Sequence, residues 1–584
     1  MIIEPMDSER MLHCTLITPR AGVNEYYFDF SLESAYEELG LGYLASSLSA
    51  ANYDVEVLDG PAMGLNINAI LERLRLTHPR IVGLTLINQT LAEGEFIARQ
   101  VKAERPNTHV VVGGHLPTNA PLDVLNGCEA FDTVVLGYGE ETLVEICDCI
   151  FAGRSVADVC GVVHRENGRI VRNIPRPLPS ILDSVPFPDR TALRYKISHG
   201  HLPLARMITS RGCPYRCSYC TTPAFLDAHC PSEGQRWFPR SPQNVVTEVE
   251  ELVQNLGVKV IVFCDDEFVA KVRGGNRRAI EIARAIQERG LPVRFWAMFR
   301  VDDFCADDDR LVAELKQAGL WGVFLGVEAG ADSQLKVYGK GVSVAQNRQA
   351  LDLFKRHNVL VEIGSMTFYP EVTFDELLST GHFLAQVGEA SLFRYFTSRL
   401  AIYPGERRLI DRLADRDLLL PTFSYRNEYG YRFANPSITE LVEALLPVTQ
   451  SFESLDLTVW NARRVIQILG DMINTSLSES AHTDLENVRA ELLQVDADIG
   501  KANHRLFSEC VRAAAEGKKK KDIDVILRRY TELIDQRINN LLLPLRRLQS
   551  LKKWWMELPH GDFLERLYHI DLWEKLCLTS RNAQ

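Results

Sequence analysis

Over the first 150 residues, short β-rich apolar runs alternate with stretches of helical periodicity. The runs are LHCTLIT (12–18), VEVLD (55–59), IVGLTLI (81–87), HVVVGG (109–114) and TVVLG (133–137). Near-continuous apolar strands separated by amphipathic helices predict an α/β, Rossmann-like, doubly wound parallel sheet. In such a sheet a ligand sits beyond the carboxyl ends of the strands. The turns there read NQT after Ile87, GGHLPTNAP from Gly113 and GYGEETL from Gly137, and their glycines allow close approach to a flat ligand.

Residues 154–200 contain the aperiodic, proline-rich NIPRPLPSILDSVPFPDR and read as a linker. A second series of strand signals follows: ARMITS (205–210), VKVIVFCDD (258–266), VRFWAMFR (293–300), GVFLGVEAG (322–330), VLVEIGSMTF (359–368) and ASLFRYFTSR (390–399). These predict a partial (β/α)6 barrel whose chemistry lies at the C-terminal strand ends. From 436 onward helical periodicity takes over. The expected organisation is therefore a Rossmann-like domain (1–153), a linker (154–200), a partial TIM barrel (201–435) and an α-helical C-terminal domain (436–584). Lys518–Lys521 reads as a solvated turn between helices, and Trp554–Trp555 as helix packing.

Composition narrows the function classes. The chain of 584 residues is 46% hydrophobic and 24% charged, with a net charge of -12. That balance disfavours a general nucleic-acid or membrane-surface binder. No run of 18 apolar residues suggests a transmembrane helix, and the acidic start lacks a signal-peptide pattern, so the expected location is cytoplasmic. Thirteen cysteines are present, most of them single within apolar runs, which suits buried reduced thiols.

The exception is SRGCPYRCSYC (210–220), where Cys213, Cys217 and Cys220 are spaced C-x3-C-x2-C. A structural zinc site closes with four ligands. The nearest additional donors, His229 and Cys230, do not fit that spacing, although a distorted zinc site stays open as an alternative. Three thiolates suit an iron–sulfur cluster with one iron left open to a ligand.

This segment resembles the radical S-adenosylmethionine (SAM) superfamily. The resemblance implies a [4Fe–4S] cluster on Cys213, Cys217 and Cys220, whose open iron is chelated by SAM and which cleaves SAM to a 5′-deoxyadenosyl radical. Tyr219 matches the aromatic position near adenine. Asp265, Asp266 and Glu267, in FCDDEF, match the position facing the methionyl amino group. Arg300, in FRVDD, matches an arginine at the third strand end. Glu328, in GVEAG, matches the ribose contact, with Ala329 where serine is usual. YPGE (403–406) resembles YPGT after the sixth strand.

ELGLGYLASSL (38–48), GGHLPT (113–118) and GYGEETL (137–143) are similar to the cobalamin-binding domain that precedes many radical SAM domains; the matches together run over residues 10–410. The resemblance implies cobalamin contacts from Asn88, Gln89, Gly113, Gly114, His115, Pro117, Thr118, Gly137, Tyr138, Gly139 and Glu140. Free-standing cobalamin domains carry D-x-H-x-x-G, whose histidine ligates cobalt. This chain reads Asp59-Gly60-Pro61-Ala62-Met63-Gly64, with proline in the histidine slot. By the family's logic, weak lower ligation favours methyl transfer.

The implied function is a cobalamin-dependent radical SAM methyltransferase. It would carry a methyl group from SAM via methylcobalamin to an unactivated carbon, less often phosphorus, of a small-molecule or peptide intermediate. An electron donor such as flavodoxin or ferredoxin is the expected partner, with no nucleic acid and no membrane. The alternative within the family is rearrangement, cyclisation or ring contraction without methyl transfer; outside it, a non-catalytic cobalamin or metal-binding regulator. Candidate substrate contacts are Glu362, Arg394, Tyr395, Arg399 and Tyr403, each of which could equally be a polar residue stabilising the barrel.

Overall fold

The computed structural model describes residues 13–19, 36–178, 181–229, 235–304, 308–473 and 479–550. Trp554, Trp555 and Cys230 lie outside them. The chain divides into two compact units: residues 1–293 with 402–409 and 422–428, and residues 294–401 with 410–421 and 429–584.

The first unit opens with a seven-stranded sheet. Its strands are β1 (Cys14–Thr18), β2 (Val55–Asp59), β3 (Ile81–Thr85), β4 (His109–Gly113), β5 (Thr133–Val135), β6 (Val162–Glu166) and β7 (Arg169–Arg172), in the order β2-β1-β3-β4-β5-β6-β7. β1 to β5 pair in parallel and β6 and β7 add an antiparallel edge. The alternation of side chains sorts each strand onto two cores. Val110 and Val112 of β4 point into one and Val111 into the other. Each such burial stabilises the unit by about 1.5–3 kcal/mol.

The β6–β7 hairpin falls inside the stretch expected to be a linker. Its turn is Asn167-Gly168, with φ of 49° and 77°, the geometry of a two-residue hairpin loop. The tail of that stretch is also built in. The Asp189 backbone N–H donates to the Gly42 carbonyl at 2.9 Å. Arg190, buried, bonds Glu37 and donates to Glu248 at 2.7 Å, and Arg240 donates to the other Glu248 oxygen at 2.6 Å.

Also in this unit, β8 (Leu204–Met207) leads to β9 (Ser210–Gly212), which pairs antiparallel with β10 (Trp237–Pro239). β11 (Val260–Phe263) lies parallel to β8. The second unit contains the parallel strands β12 (Arg294–Arg300), β13 (Leu320–Glu328) and β14 (Leu360–Ser365), with β13 central among the three. The five strands β8 and β11 to β14 match the first five predicted for the barrel.

The expected sixth strand, ASLFRYFTSR, does not form. The Asp456 carboxylate accepts the backbone N–H groups of Phe393 and Arg394 at 2.7 and 2.8 Å and turns the chain into the short helix Arg394–Thr397. A single bridge between Phe368 and Arg399 is its remaining strand contact. The helical C-terminal region is present as Pro436–Ile473, Glu479–Ala515, Lys520–Thr531 and Ile534–Ser550. It packs within the second unit: Phe452 stacks on Phe393 at 4.1 Å, and Arg463 bonds Glu389 and Asp496. Among the described residues no helix is long and apolar enough to cross a membrane.

Candidate active site

Gly212 must be glycine: its φ is 79°, and an added Cβ would stand 2.4 Å from the Arg236 carbonyl oxygen. It delivers the chain into a loop in which Cys213, Cys217, Tyr219 and Cys220 are all half-buried. Asp266 closes this loop at both ends. Its Oδ2 accepts the Gly212 N–H at 3.2 Å and its Oδ1 accepts the Thr222 hydroxyl at 3.0 Å. Thr222 in turn bonds Cys220.

Asp265, Asp266 and Glu267 were expected to face the same ligand group, and the structure separates them. Asp265 is 1% exposed, and its Oδ1 accepts the Thr209 N–H at 2.8 Å, the Thr209 hydroxyl at 2.9 Å and the Ser210 hydroxyl at 2.6 Å. Glu267 folds back on the N–H groups of Val269 and Ala270, both at 3.3 Å. Asp265 thus holds one backbone N–H and two hydroxyls, Glu267 holds backbone, and of the three only Asp266 is exposed beside the cysteine loop.

Burial pushes the Cys220 thiol up to about 11, and burial raises Cys213 as well. Thiolates there need a cation, and iron supplies one. Among the described residues no three His, Cys, Asp or Glu side chains converge as a lone metal ion requires. Three thiols on one half-buried loop are the donor set that an iron–sulfur cluster would take. His229 does not fit zinc. Its Nε2 accepts the Tyr138 N–H at 3.2 Å and its Nδ1 donates to the Arg176 carbonyl at 3.1 Å, so both nitrogens are taken. Burial lowers its pKa, in keeping with a neutral ring.

The loops expected to hold cobalamin meet at the carboxyl edge of the seven-stranded sheet. The Thr118 hydroxyl accepts the Gly137 N–H at 3.0 Å, and the Gly113 carbonyl accepts the Leu86 N–H at 2.8 Å. Asn88 donates to the Tyr425 carbonyl at 2.6 Å. An added Cβ on Gly113 would meet nothing nearer than 3.8 Å, which leaves that backbone open to a flat ligand. Gly137 is different: an added Cβ would sit 2.1 Å from His229 Nε2, so close packing within the protein requires the glycine. Tyr138 is likewise wedged between the loop edge and the cysteine segment. It stacks on His229 at 5.4 Å, and the Arg211 guanidinium lies 4.3 Å above its ring. Arg211 also pairs with Glu140. His115 is exposed and stacks on Phe225 at 4.7 Å, in the helix Thr222–Asp227 that follows the cysteines. YPGE packs here too, since an added Cβ on Gly405 would stand 2.9 Å from the Ala224 Cβ and 3.0 Å from the Asn119 Cγ.

In the Asp59–Gly64 turn, Asp59 is 1% exposed and accepts the Glu38 N–H at 2.6 Å and the Ala62 N–H at 3.2 Å. Both its oxygens serve backbone, and Pro61 offers no ligand atom.

In the second unit Glu328 has φ of 65°, a conformation costing roughly 1–2 kcal/mol for a non-glycine residue. Fully buried Asn347 secures it by donating to the carbonyls on either side, Val327 at 3.0 Å and Ala329 at 3.1 Å. The Glu328 carboxylate pairs with Lys340 at 3.0 Å. Arg300, expected to meet a ligand, is held bidentately by Asp302 at 2.9 and 3.1 Å and donates to the Lys340 carbonyl at 2.6 Å.

Of the five candidate substrate contacts, Glu362, Arg394 and Tyr395 come together. Glu362 is 1% exposed, its Oε1 has no hydrogen-bond partner, and Arg394 stands 3.8 Å away. Burial pushes its carboxyl up to about 7 against the opposing charges of Arg394 and Arg464. Arg394 lies 5.4 Å over both Tyr395 and Trp460. Arg399 instead packs against Tyr429, Tyr431 and Phe433, and Tyr403 belongs to the first unit. Lys340, Asn347, Arg464 and Trp460 escaped the sequence reading. A lysine flanked by glycines in YGKG was the one local sign.

Two families match the chain: the B12 binding domain over residues 30–147 and the radical SAM superfamily over 207–384. An uncharacterized methyltransferase of Pyrococcus horikoshii is 30% identical over 393 residues, 66% of this chain and 80% of that relative. The chain belongs to the cobalamin-dependent radical SAM enzymes. As a member of that family it carries a cobalamin-binding and a radical SAM domain, with cobalamin, SAM and a [4Fe–4S] cluster as cofactors. The anaerobic magnesium-protoporphyrin IX monomethyl ester cyclase of Rubrivivax gelatinosus is 28% identical over 55% of this cobalamin-dependent radical SAM chain, which spans 57% of that cyclase. The fold matches that of the cobalamin-dependent radical enzyme OxsB, solved with aqua-cobalamin and SAM bound. The TM-score is 0.65 at 18% identity, over 97% of this chain and 84% of OxsB.

Proposed function

We propose that the protein is a methyltransferase that moves a methyl group from SAM, by way of cobalamin, onto an unactivated carbon, less often phosphorus, of a small-molecule or peptide intermediate. The observation that carries the reading is the Asp59–Gly64 turn. Both Asp59 oxygens are spent on backbone N–H groups and proline fills the histidine slot, so the chain offers no side-chain base beneath cobalt there. The likeness to a methyltransferase over 80% of its length supports it.

Cys213, Cys217 and Cys220 hold the cluster, and Asp266 keeps their loop closed. Tyr219 flanks adenine, Asp266 faces the methionyl ammonium and Glu328 takes the ribose hydroxyls. Asn88, Gln89, Gly113, Gly114, His115, Pro117 and Thr118 form the cobalamin edge, while Gly137 to Glu140 anchor that edge to the cysteine segment. Glu362 and Arg394 offer an acceptor and a cation to the substrate. When bound, the cluster supplies the electron that cleaves SAM, and cobalamin supplies a methyl carrier. The protein supplies placement and exclusion of water.

The second reading, rearrangement or cyclisation without methyl transfer, is favoured by the likeness to the Rubrivivax cyclase. Anaerobically reconstituted protein, given deuteromethyl-SAM, a reductant such as flavodoxin and candidate substrates, separates the two. Methyl transfer yields 5′-deoxyadenosine and a product bearing the deuterated methyl. A rearranged product with no label supports the second reading and refutes the first.

A further inference from the structure

Gly326 of β13 and Gly364 of β14 are register partners on adjacent strands. A side chain on either would crowd the Glu328 carboxylate. An added Cβ on Gly326 would stand 2.8 Å from Glu328 Oε1 and 2.6 Å from Lys340 Nζ, and one on Gly364 would stand 3.1 Å from Glu328 Oε2. The two glycines therefore form a bare plot across neighbouring strands, and the Glu328 carboxylate lies on it with one oxygen toward each strand.

Three features fix it there. The chain bulges between Gly326 and Glu328, which turns the side chain onto that face. Asn347 clamps the left-handed backbone from both sides. The Lys340 ammonium donates to Oε1, and Lys340 is itself seated by Arg300 on its carbonyl. Both members of the pair are buried, at 8% and 5% exposure. A buried ion pair adds little stability over an apolar pair of the same size. Strain, two bare glycines and a buried pair at one strand end together describe a carboxylate prepared for a ligand.

We infer that Lys340 is a positioning residue for SAM: its ammonium holds Glu328 over the Gly326–Gly364 plot in the posture that accepts the ribose hydroxyls. This rests on the assignment of Glu328 to the ribose. The ligand chemistry is a vicinal diol, two O–H donors meeting one carboxylate, and a bound carboxylate without its ammonium is free to swing away from them.

The test is equilibrium binding to the anaerobically reconstituted protein of two probes differing by one hydroxyl, S-adenosylhomocysteine and its 2′-deoxy analogue. Lys340→Met is expected to weaken S-adenosylhomocysteine about tenfold, the worth of one hydrogen bond to a charged group, and the 2′-deoxy probe less than about threefold. Lys340→Arg, which keeps a cation there, is expected to recover most of the lost affinity; Gly364→Ala, whose added methyl presses on Phe324 and on Glu328 Oε2 but not on the lysine, is expected to reproduce the selective loss and stands in should Lys340→Met fail to fold. Equal losses for both probes, or none, overturn the inference. Glu328→Gln separates the two levels. If it leaves the preference for the 2′-hydroxyl intact, the ribose assignment itself fails. If it abolishes the preference while Lys340→Met and Gly364→Ala keep it, only the role of Lys340 falls.

Discussion

Asp266 joins the two ends of the cysteine loop, and no other described side chain bonds both Gly212 and Thr222. Asp266→Ala frees both ends of the loop. Reconstituted variant is expected to hold less iron and sulfide per chain than wild type while its melting temperature moves little, because Asp266 is exposed. Undiminished iron and sulfide would show the clasp to be dispensable. Glu362 makes a prediction of a different kind. Its folded carboxyl titrates near 7 against an ordinary 4.5. The unfolded chain therefore ionises first at this residue, and the contribution of Glu362 to stability falls as pH rises from the ordinary carboxylate value to about 7, then levels. Glu362→Gln removes that dependence. Relative to wild type the variant should gain roughly 2–3 kcal/mol between pH 4.5 and 8 in denaturant unfolding. A pH-independent difference would contradict the raised carboxyl. The grouping of Cys213, Cys217 and Cys220 on one half-buried loop was legible from their spacing alone, since eight residues hold all three. Lys340 and Asn347 were not, because each acts on a residue at least 12 positions away in sequence, and only the folded strands bring them together.

At the scale of elements, apolar runs located β1 to β5, β8 and β11 to β14. Most of these strands are buried on both faces, and their sequences are largely apolar, with single charged residues such as Glu56 and Arg206 as interruptions. The β6–β7 hairpin was missed because its edge position leaves VVHRENGRIVR half polar, even though Asn167-Gly168 is a strong turn signal. Gly168→Val places a branched side chain at φ of 77° and is expected to cost about 1–2 kcal/mol, read as a lower unfolding midpoint. An unchanged midpoint would mean the turn is not held as described. ASLFRYFTSR failed as a strand for the opposite reason: its apolar residues are buried against the helix Pro436–Ile473, and Asp456 takes the backbone N–H groups that a ladder would use. Propensity cannot register a carboxylate some 60 residues downstream. Asn347→Ala tests the brace at Glu328. Losing two buried hydrogen bonds should destabilise the chain by about 2–4 kcal/mol and weaken SAM binding with it. Retention of both would leave the left-handed residue without the support ascribed to it.

Across the whole molecule, composition and charge gave the class, and the cysteine and cobalamin-loop motifs gave the family. What the sequence did not convey is how much of the supposed linker is load-carrying structure. Arg190, Glu37, Glu248 and Arg240 form a buried charge network that ties that stretch into the first unit. Glu248→Gln leaves two buried guanidinium groups short of a carboxylate and should cost about 3–5 kcal/mol of stability. A variant as stable as wild type would show the network to be incidental. The methyl-transfer reading, the cobalamin edge and the placing of Glu328 all presuppose a cluster with one iron accessible to SAM. Electron paramagnetic resonance of the reduced, anaerobically reconstituted protein addresses that most directly. The account predicts a [4Fe–4S]+ signal whose g-values change when SAM is added. A spectrum identical with and without SAM, or no cluster signal at all, would contradict it.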